Sequence, residues 1–351
     1  MKKYSKLRLF SDRVSFLIDN KALIITLLLS FFVFLLFVIS NSVGELFIHP
    51  FDVLRTLFGY GDDTENLFIF SFRLPRIVMS LLVGICLAVA GAILQGLIRN
   101  PLASPDIIGI TGGGAVGVVL FLMWFSDKNN SLTVSINWMP VAAFIGATIV
   151  GIVVYLLSWK NGSSAIRLVL IGIGLSLLTN ALTTLFMVRG PIYQAAQANV
   201  WITGTVYAAD WQQVNILLPA TLLLLLISII SVRNVNIQEL GDDLAAGAGS
   251  PVQRNRLFLL LLSTALTGCA VAFAGAIGFV GLIAPHIARR LVGSSFGALL
   301  PVSALIGALL VMAADLIGRT VFSPIEVPAG VFTAAIGAPY FIYLLVKTRN
   351  S

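Results

Sequence analysis

Charged residues interrupt this chain so rarely that the gaps between them set its fold. Runs without Asp, Glu, Lys or Arg cover 22–44, 77–98, 107–126, 129–159, 168–188, 190–209, 211–232, 257–288, 291–314 and 327–346. Each is about as long as the ~20 residues an α-helix needs to cross the hydrocarbon core of a bilayer. In lipid only helices and closed barrels satisfy every backbone polar group, and uniformly apolar runs of this length belong to helices. Charged residues make up 11% of the 351, and 58% are apolar; soluble domains carry about a quarter charged residues. A soluble fold keeps a polar surface that this composition cannot supply. A soluble enzyme, a nucleic-acid-binding domain and a disordered chain are excluded, despite the net charge of +7.

Run 190–209 is too polar to span and reads as a surface segment with a short amphipathic helix. Run 257–288 holds a full helix plus a shorter piece interrupted by Gly275, Gly278 and Gly281. The stretch Gly275–Pro285 is expected to enter the membrane only partway, buried against protein or lining a cavity. The expected fold is all-α, a polytopic membrane protein with ten transmembrane helices. The tails are 1–21 and 347–351, around a spanning region of 22–346. The first run is longer than a typical signal-peptide core and no A-x-A site follows, so it reads as a retained helix. With ten spans both ends share a side. Of the 22 Lys and Arg, all but Arg55, Arg73, Arg76, Lys128, Arg189 and Arg319 then fall on that side. The bias places both ends in the cytoplasm.

AVAGAI at Ala88–Ile93 recurs as AFAGAI at Ala272–Ile277, and Pro101 matches Pro285 at the same offset. The copies fall on the second and seventh spans, which run in opposite directions. That is either an inverted repeat of the kind transporters carry or chance among abundant Ala and Gly. No Gly-Lys pair exists, so no P-loop is present and any ATP-driven step belongs to another subunit. Cys86 and Cys269 lie in apolar runs, and His49 and His286 lie on unrelated segments. Neither a disulfide framework nor a metal site follows from them.

Charges near membrane depth are the informative exceptions. Asp315 and Arg319 stand four apart near the end of the ninth span. They form an intrahelical pair, or Asp315 orients Arg319 toward a partner. Arg73 and Arg76, in RLPR, flank the second span, where arginines alone read as interfacial anchors. The segment Gln238–Pro251 is rich in Gly and Ala. Glu239–Ala248 is expected to form a short helix with Asp242 and Asp243 on one side, either docking on a partner or lying as a plain loop. Span five places Ser176, Asn180, Thr183, Thr184 and Met187 on one helical face. That face lines a wet path, or its hydroxyls bond within and between helices.

Seven strings, in order, resemble the FecCD-type permeases. They are RLPR at Arg73–Arg76, AGAILQGLIRNPLASPDIIG at Ala90–Gly109, WITG at Trp201–Gly204, LGDDLAAGAG at Leu240–Gly249, GAIGFVGLIAPHIARRLVG at Gly275–Gly293, ADLIGR at Ala314–Arg319 and IEVPAGVFTAAIGAPYF at Ile325–Phe341. The family supplies membrane subunits of binding-protein-dependent ABC importers for ferric siderophores, haem and cobalamin. The resemblance implies ten spans in inverted halves, in the type II importer architecture. It implies a second permease subunit, identical or merely similar, two ATPase subunits and an external substrate-binding protein. It implies no cofactor in this chain, with ATP and Mg bound on the partner ATPase, and residence in a bacterial cytoplasmic membrane. Leu240, Gly241, Ala245 and Gly249 match the family's ATPase-coupling segment, expected within 237–251, while Ala248 replaces the usual leucine. Arg73, Arg76 and Arg319 match its binding-protein docking arginines, and the span-five face its path-lining helix. Many members carry Asp-His-Arg where this chain has Ser294, Ser295 and Phe296, and no function is attached to that stretch. A ferric siderophore is the expected cargo, with cobalamin or haem the alternatives. An ion-coupled secondary transporter or a passive channel would need titratable relays or lack any use for the docking segment.

Overall fold

The computed structural model describes residues 4–9, 14–44, 46–127, 132–160, 162–189 and 192–349. Lys128 and Gly190 lie outside them. The described chain opens with an antiparallel hairpin, β1 (Tyr4–Leu9) and β2 (Val14–Asp19). The N-terminal tail expected over 1–21 therefore contains two strands, the one sheet among the described residues of a chain expected to be all-α. The Asp19 carboxylate accepts from the Lys21 and Ala22 amides and caps α1 (Asn20–Ser42).

The remaining elements are α2 (Pro50–Leu57), α3 (Asp63–Asn66), a π-helical stretch (Leu67–Arg73), α4 (Leu74–Ile98), α5 (Ile110–Trp124), α6 (Met139–Ser158), α7 (Ala165–Arg189) and α8 (Ile192–Thr203). There follow α9 (Trp211–Ile230), α10 (Val232–Glu239), α11 (Asp242–Gly247), α12 (Val252–Ala274), α13 (Val280–Val292), α14 (Phe296–Thr320) and α15 (Ala329–Arg349). Eight helical stretches among the described residues are long and apolar enough to cross a membrane. The short helices α5 and α13 complete the ten. At 1.5 Å per residue they reach only about 22 and 20 Å, less than the ~30 Å core.

The centre of the bundle is α4, 83% buried through its most apolar window, whereas α1 is 11% buried and turns Leu27, Phe31 and Phe34 outward. One face of α1 packs on α14 through Val33, and the apolar face left uncovered has lipid as its solvent. Glycine lets α4 approach its neighbours backbone to backbone. A Cβ on Gly84 would strike the carbonyl of Gly307 on α14, and one on Gly91 would strike the carbonyl of Gly281 on α13. Small residues at helix crossings are how membrane bundles gain dispersion contact, because lipid removes the hydrophobic drive between helices.

Both short helices begin inside the bundle. Past α4, the segment 99–109 turns back, with Ala103, Ser104 and Ile108 buried, and reaches the level of Gly172 and Ser176 on α7. Past α12, Gly275 at φ +68° breaks the helix, and the chain turns into α13 with Phe279 at φ +65°. The two breaks meet: the Phe279 amide donates to Asp106 at 3.0 Å, and the Ser176 hydroxyl donates to the Asp106 carbonyl at 3.4 Å. Irregular backbone at such depth persists because protein groups satisfy it. A long buried helix, a re-entrant turn and a short helix thus recur in opposite directions as α4–α5 and α12–α13. The hexapeptides noted above are not equivalent positions within that arrangement. Ala88–Ile93 is continuous helix, whereas Ala272–Ile277 straddles the break at Gly275.

Two further expectations are corrected. The helix expected over Glu239–Ala248 is shorter, α11 alone: α10 ends at Glu239, and Gly241 at φ +106° is the N-cap from which α11 starts. The 190–209 run forms α8, but it is no mere surface helix. Ala198 and Trp201 are buried against α5 and α12, and the Thr205 amide donates to Ala274 at the tip of α12.

Candidate functional site

The residues expected to function fall into three places: the two ends of α4, and the outward face of α7.

At the first end, Pro75 in the opening turn of α4 holds the chain in helical φ directly between Arg73 and Arg76. The Arg73 guanidinium turns inward, donating to the carbonyls of Asn41 (2.6 Å), Ser42 (3.3 Å) and Leu46. It stands 5.9 Å from the Phe68 ring. Asn41 and Ser42 are the last residues of α1 and Leu46 lies just beyond it, so Arg73 caps that helix with neutral oxygens as partners and sits at the negative end of its dipole. Arg76 bridges helices. Its Nε and Nη2 donate to Asp315 on α14 at 2.9 and 2.8 Å, and its Nη1 donates to Glu326 at 2.9 Å. Arg319 donates to the Ser40 carbonyl and lies 3.9 Å from Asp315. The i, i+4 pair is therefore the looser contact of Asp315, whose main partner is Arg76 across the α4–α14 crossing. Neither reading of Arg319 is met in full, because its side chain is 8% exposed and folds back onto α1.

Three guanidinium groups here face two carboxylates, leaving one positive charge in excess. They line a cavity of about 500 Å³ together with Phe68, Phe72 and Glu326. The cavity is open on one side, with Phe72 61% exposed, so the excess charge can meet an incoming anion while water screens part of it. Glu326 escaped the sequence reading although it lies in a quoted string. No spacing rule connects it to Arg76, 250 positions earlier.

At the other end of α4, Arg99 adopts φ +56° as the C-cap and meets α11. Leu240 and Leu244 are 59% and 65% exposed, while Ala245 is fully buried and anchors the turn. Gly247 and Gly249 have open space around them. Apolar side chains are thus presented outward from a backbone with little cover. Asp242 departs from this pattern. It bonds Arg256 at the base of α12 at 2.7 Å and Arg99 at 3.3 Å.

On α7 the polar stripe divides. Asn180 and Thr184 are exposed, alongside Ile173, Leu177 and Val188. Thr183 is buried with no hydrogen-bond partner for its hydroxyl, Ser176 bonds the Asp106 backbone, and Met187 packs against the cluster around Trp201. The stripe therefore contributes Asn180 and Thr184 to an open face, and Ser176 to the contact with the re-entrant turn. Among the described residues no group of three or more His, Cys, Asp or Glu is placed to hold a metal ion.

A bundle of eight long helices, two short ones and a re-entrant turn in each half belongs to the membrane-embedded subunits of transporters. The model of the FecCD transport family matches residues 31–347, and this chain belongs to that family. It is 65% identical over 95% of its length to a Bacillus subtilis protein named as a probable siderophore transport system permease, YfhA, covering 97% of that protein. It is 43% identical to the iron(3+)-hydroxamate import system permease FhuG of the same organism, over 94% of this chain and 98% of the other. A solved chain from a transporter assigned to the metal-chelate type of ABC transporter, inward-facing, superposes with a TM-score of 0.81. It is 31% identical, and the match covers 92% of this chain and 99% of that one. The structure of PsaBC from Streptococcus pneumoniae matches with a TM-score of 0.58 at 21% identity, over 80% of this chain and 93% of that one, a likeness of fold alone. The chain is an integral membrane permease, a transport subunit rather than an enzyme.

Proposed function

We propose that this permease carries ferric siderophores inward across a bacterial cytoplasmic membrane, driven by ATPase subunits that bind at the Arg99 end. The identity shared with YfhA along nearly both whole chains carries the cargo reading. In this reading both chain ends and α11 are cytoplasmic, and the Arg76 end faces outward. ATP and Mg belong to the ATPase. Two permease chains, identical or similar, place their α7 faces around the path, with Asn180 and Thr184 toward it. The apolar surface of Leu240 and Leu244, with Gly241, Ala245 and Gly249 shaping its backbone, enters the ATPase groove.

The cavity beside Arg76 and Arg319 receives an acidic group of the substrate-binding protein. With Arg73 engaged at the end of α1, its charge reversal would disturb fold and docking together. Raising salt is the cleaner probe, and binding-protein affinity is expected to fall with ionic strength.

Deleting this chain from iron-starved cells and supplying ⁵⁵Fe on hydroxamate, catecholate and citrate chelators tests the cargo. Loss of uptake for one chelator class is expected. Unchanged iron uptake with lost haem or cobalamin uptake would overturn the siderophore assignment and keep the permease. Uptake abolished by an uncoupler but not by an ATPase poison would overturn ATP drive.

A further inference from the structure

We propose that Asp242 is the clamp that ties the ATPase-docking segment α11 to the base of α12, so that movement of α11 moves α12. The proposal rests on the reading of α11 as the docking segment. It adds a positioning residue and a route through the fold.

The side chains around Asp242 divide by what they face. Leu240, Asp243 and Leu244 turn outward. Asp242 turns toward the bundle, where the Arg256 guanidinium is fully buried, with 0% of its side chain exposed. Arg256 donates to Asp242 Oδ1 at 2.7 Å and to the Ser163 carbonyl, and its Nε has no partner. Asp242 is therefore the one carboxylate within ion-pair distance of this cation among the described residues. The Asp242 side chain is 40% exposed, but the Arg256 end of the pair is sealed from water, so removing the carboxylate would leave a buried guanidinium without its counterion, and the pair holds α11 to the base of α12. Arg99 contributes less. Its contact with Asp242 is longer, 3.3 Å, and its side chain is 38% exposed, where ion pairs are weak.

What α12 reaches makes the clamp consequential. Its 23 residues span about 34 Å. Gln253, one turn from Arg256, accepts from the Ser163 amide at 3.0 Å and stiffens the base. Midway, the Ser263 hydroxyl donates to the Ala90 carbonyl of α4 at 3.0 Å. At the tip, Ala274 accepts from Thr205 at 2.8 Å, and Gly275 lies against the Trp201 carbonyl. Beyond it comes the break that meets Asp106 of the other half. A continuous helix clamped at its base and bonded at its tip conveys displacement from the docking segment to both re-entrant turns.

The test uses the assembled importer, isolated through a tag on this chain and reconstituted in phospholipid vesicles. ATP hydrolysis is read beside uptake of ⁵⁵Fe supplied as a mixture of hydroxamate, catecholate and citrate chelates. In Asp242→Asn the ATPase subunits are expected to remain bound and hydrolysis to stay within about twofold, while uptake falls about tenfold. Asp242→Glu, which keeps the charge, is expected to restore most of that uptake, and Arg99→Gln to stay within about twofold of the unaltered importer. Hydrogen exchange of the α11 amides in the same complex is expected to quicken about tenfold in Asp242→Asn, a readout independent of cargo. Unchanged uptake and exchange in Asp242→Asn would overturn the clamp. Loss of the ATPase subunits from that variant would also overturn it, by making Asp242 part of the contact surface. Leu244→Asp tests the underlying reading separately: it is expected to lose the ATPase subunits, and their retention would sink the docking assignment itself.

Discussion

Asp315→Asn is expected to destabilise the permease by about 3 kcal/mol, the scale for removing one partner from a buried ion pair. Asp315 is 5% exposed and Arg76 13%, and the carboxylate holds two of the Arg76 donors while standing near Arg319. An amide cannot neutralise either arginine, so two guanidinium groups would remain close together with Glu326 as their one nearby counterion among the described residues. Glu326→Gln removes the same formal charge from a side chain that is 37% exposed. Water then screens what is left, and the expected loss is below about 1 kcal/mol. Heating the two variants in detergent and following the loss of monodisperse protein separates them. Equal melting would mean that the α4–α14 bridge contributes nothing beyond an exposed pair.

Gly91→Val is expected to abolish accumulation of folded protein. The new side chain would meet the carbonyl, carbonyl carbon and Cα of Gly281, all of them backbone, so no rotamer change relieves the clash. The helices must separate, and overpacking of this kind exceeds about 3 kcal/mol when backbone has to move. Separation would also disturb the hydrogen bond from Gln95 to the Leu282 carbonyl, 3.2 Å long at the same crossing. Gly247→Ala is the matched control. Nothing lies within 4 Å of the added carbon, so folded yield is expected to match the unaltered chain. Membrane-fraction yield of the two variants decides the matter. A normal yield of Gly91→Val would show that α13 is not packed on α4 as described.

The spans were legible because lipid imposes a rule on residue types, and hydropathy measures residue types. The ten-helix count follows from runs such as 77–98 and 291–314 without knowledge of any contact. The same measure overestimated run 107–126, since Ile107, Ile108 and Gly109 are apolar yet belong to the re-entrant turn. What such a turn needs is a partner for its backbone: the Ser176 hydroxyl for the Asp106 carbonyl, and the Asp106 carboxylate for the Phe279 amide of the other turn, both pairs far apart in sequence. The roles of Glu326 and Arg256 were illegible for a related reason. A charge at the end of a span looks like an interfacial anchor until the opposing charge is located. Gly241 could be read as a hinge only once its positive φ was seen to divide α10 from α11.

The same long separations constrain how the chain is made. Arg76 inserts with the second span, whereas Asp315 and Glu326 follow 239 and 250 residues later. At ribosomal speeds of about 5–20 residues per second that interval is roughly ten to fifty seconds. Throughout it the nascent protein holds an uncompensated cation at the bilayer edge, and the carbonyl of Ser40 awaits Arg319, 279 positions downstream. Closure at that end is thus deferred until the ninth span arrives. A product that ends before the ninth span keeps Arg76 without the two carboxylates that neutralise it in the finished subunit.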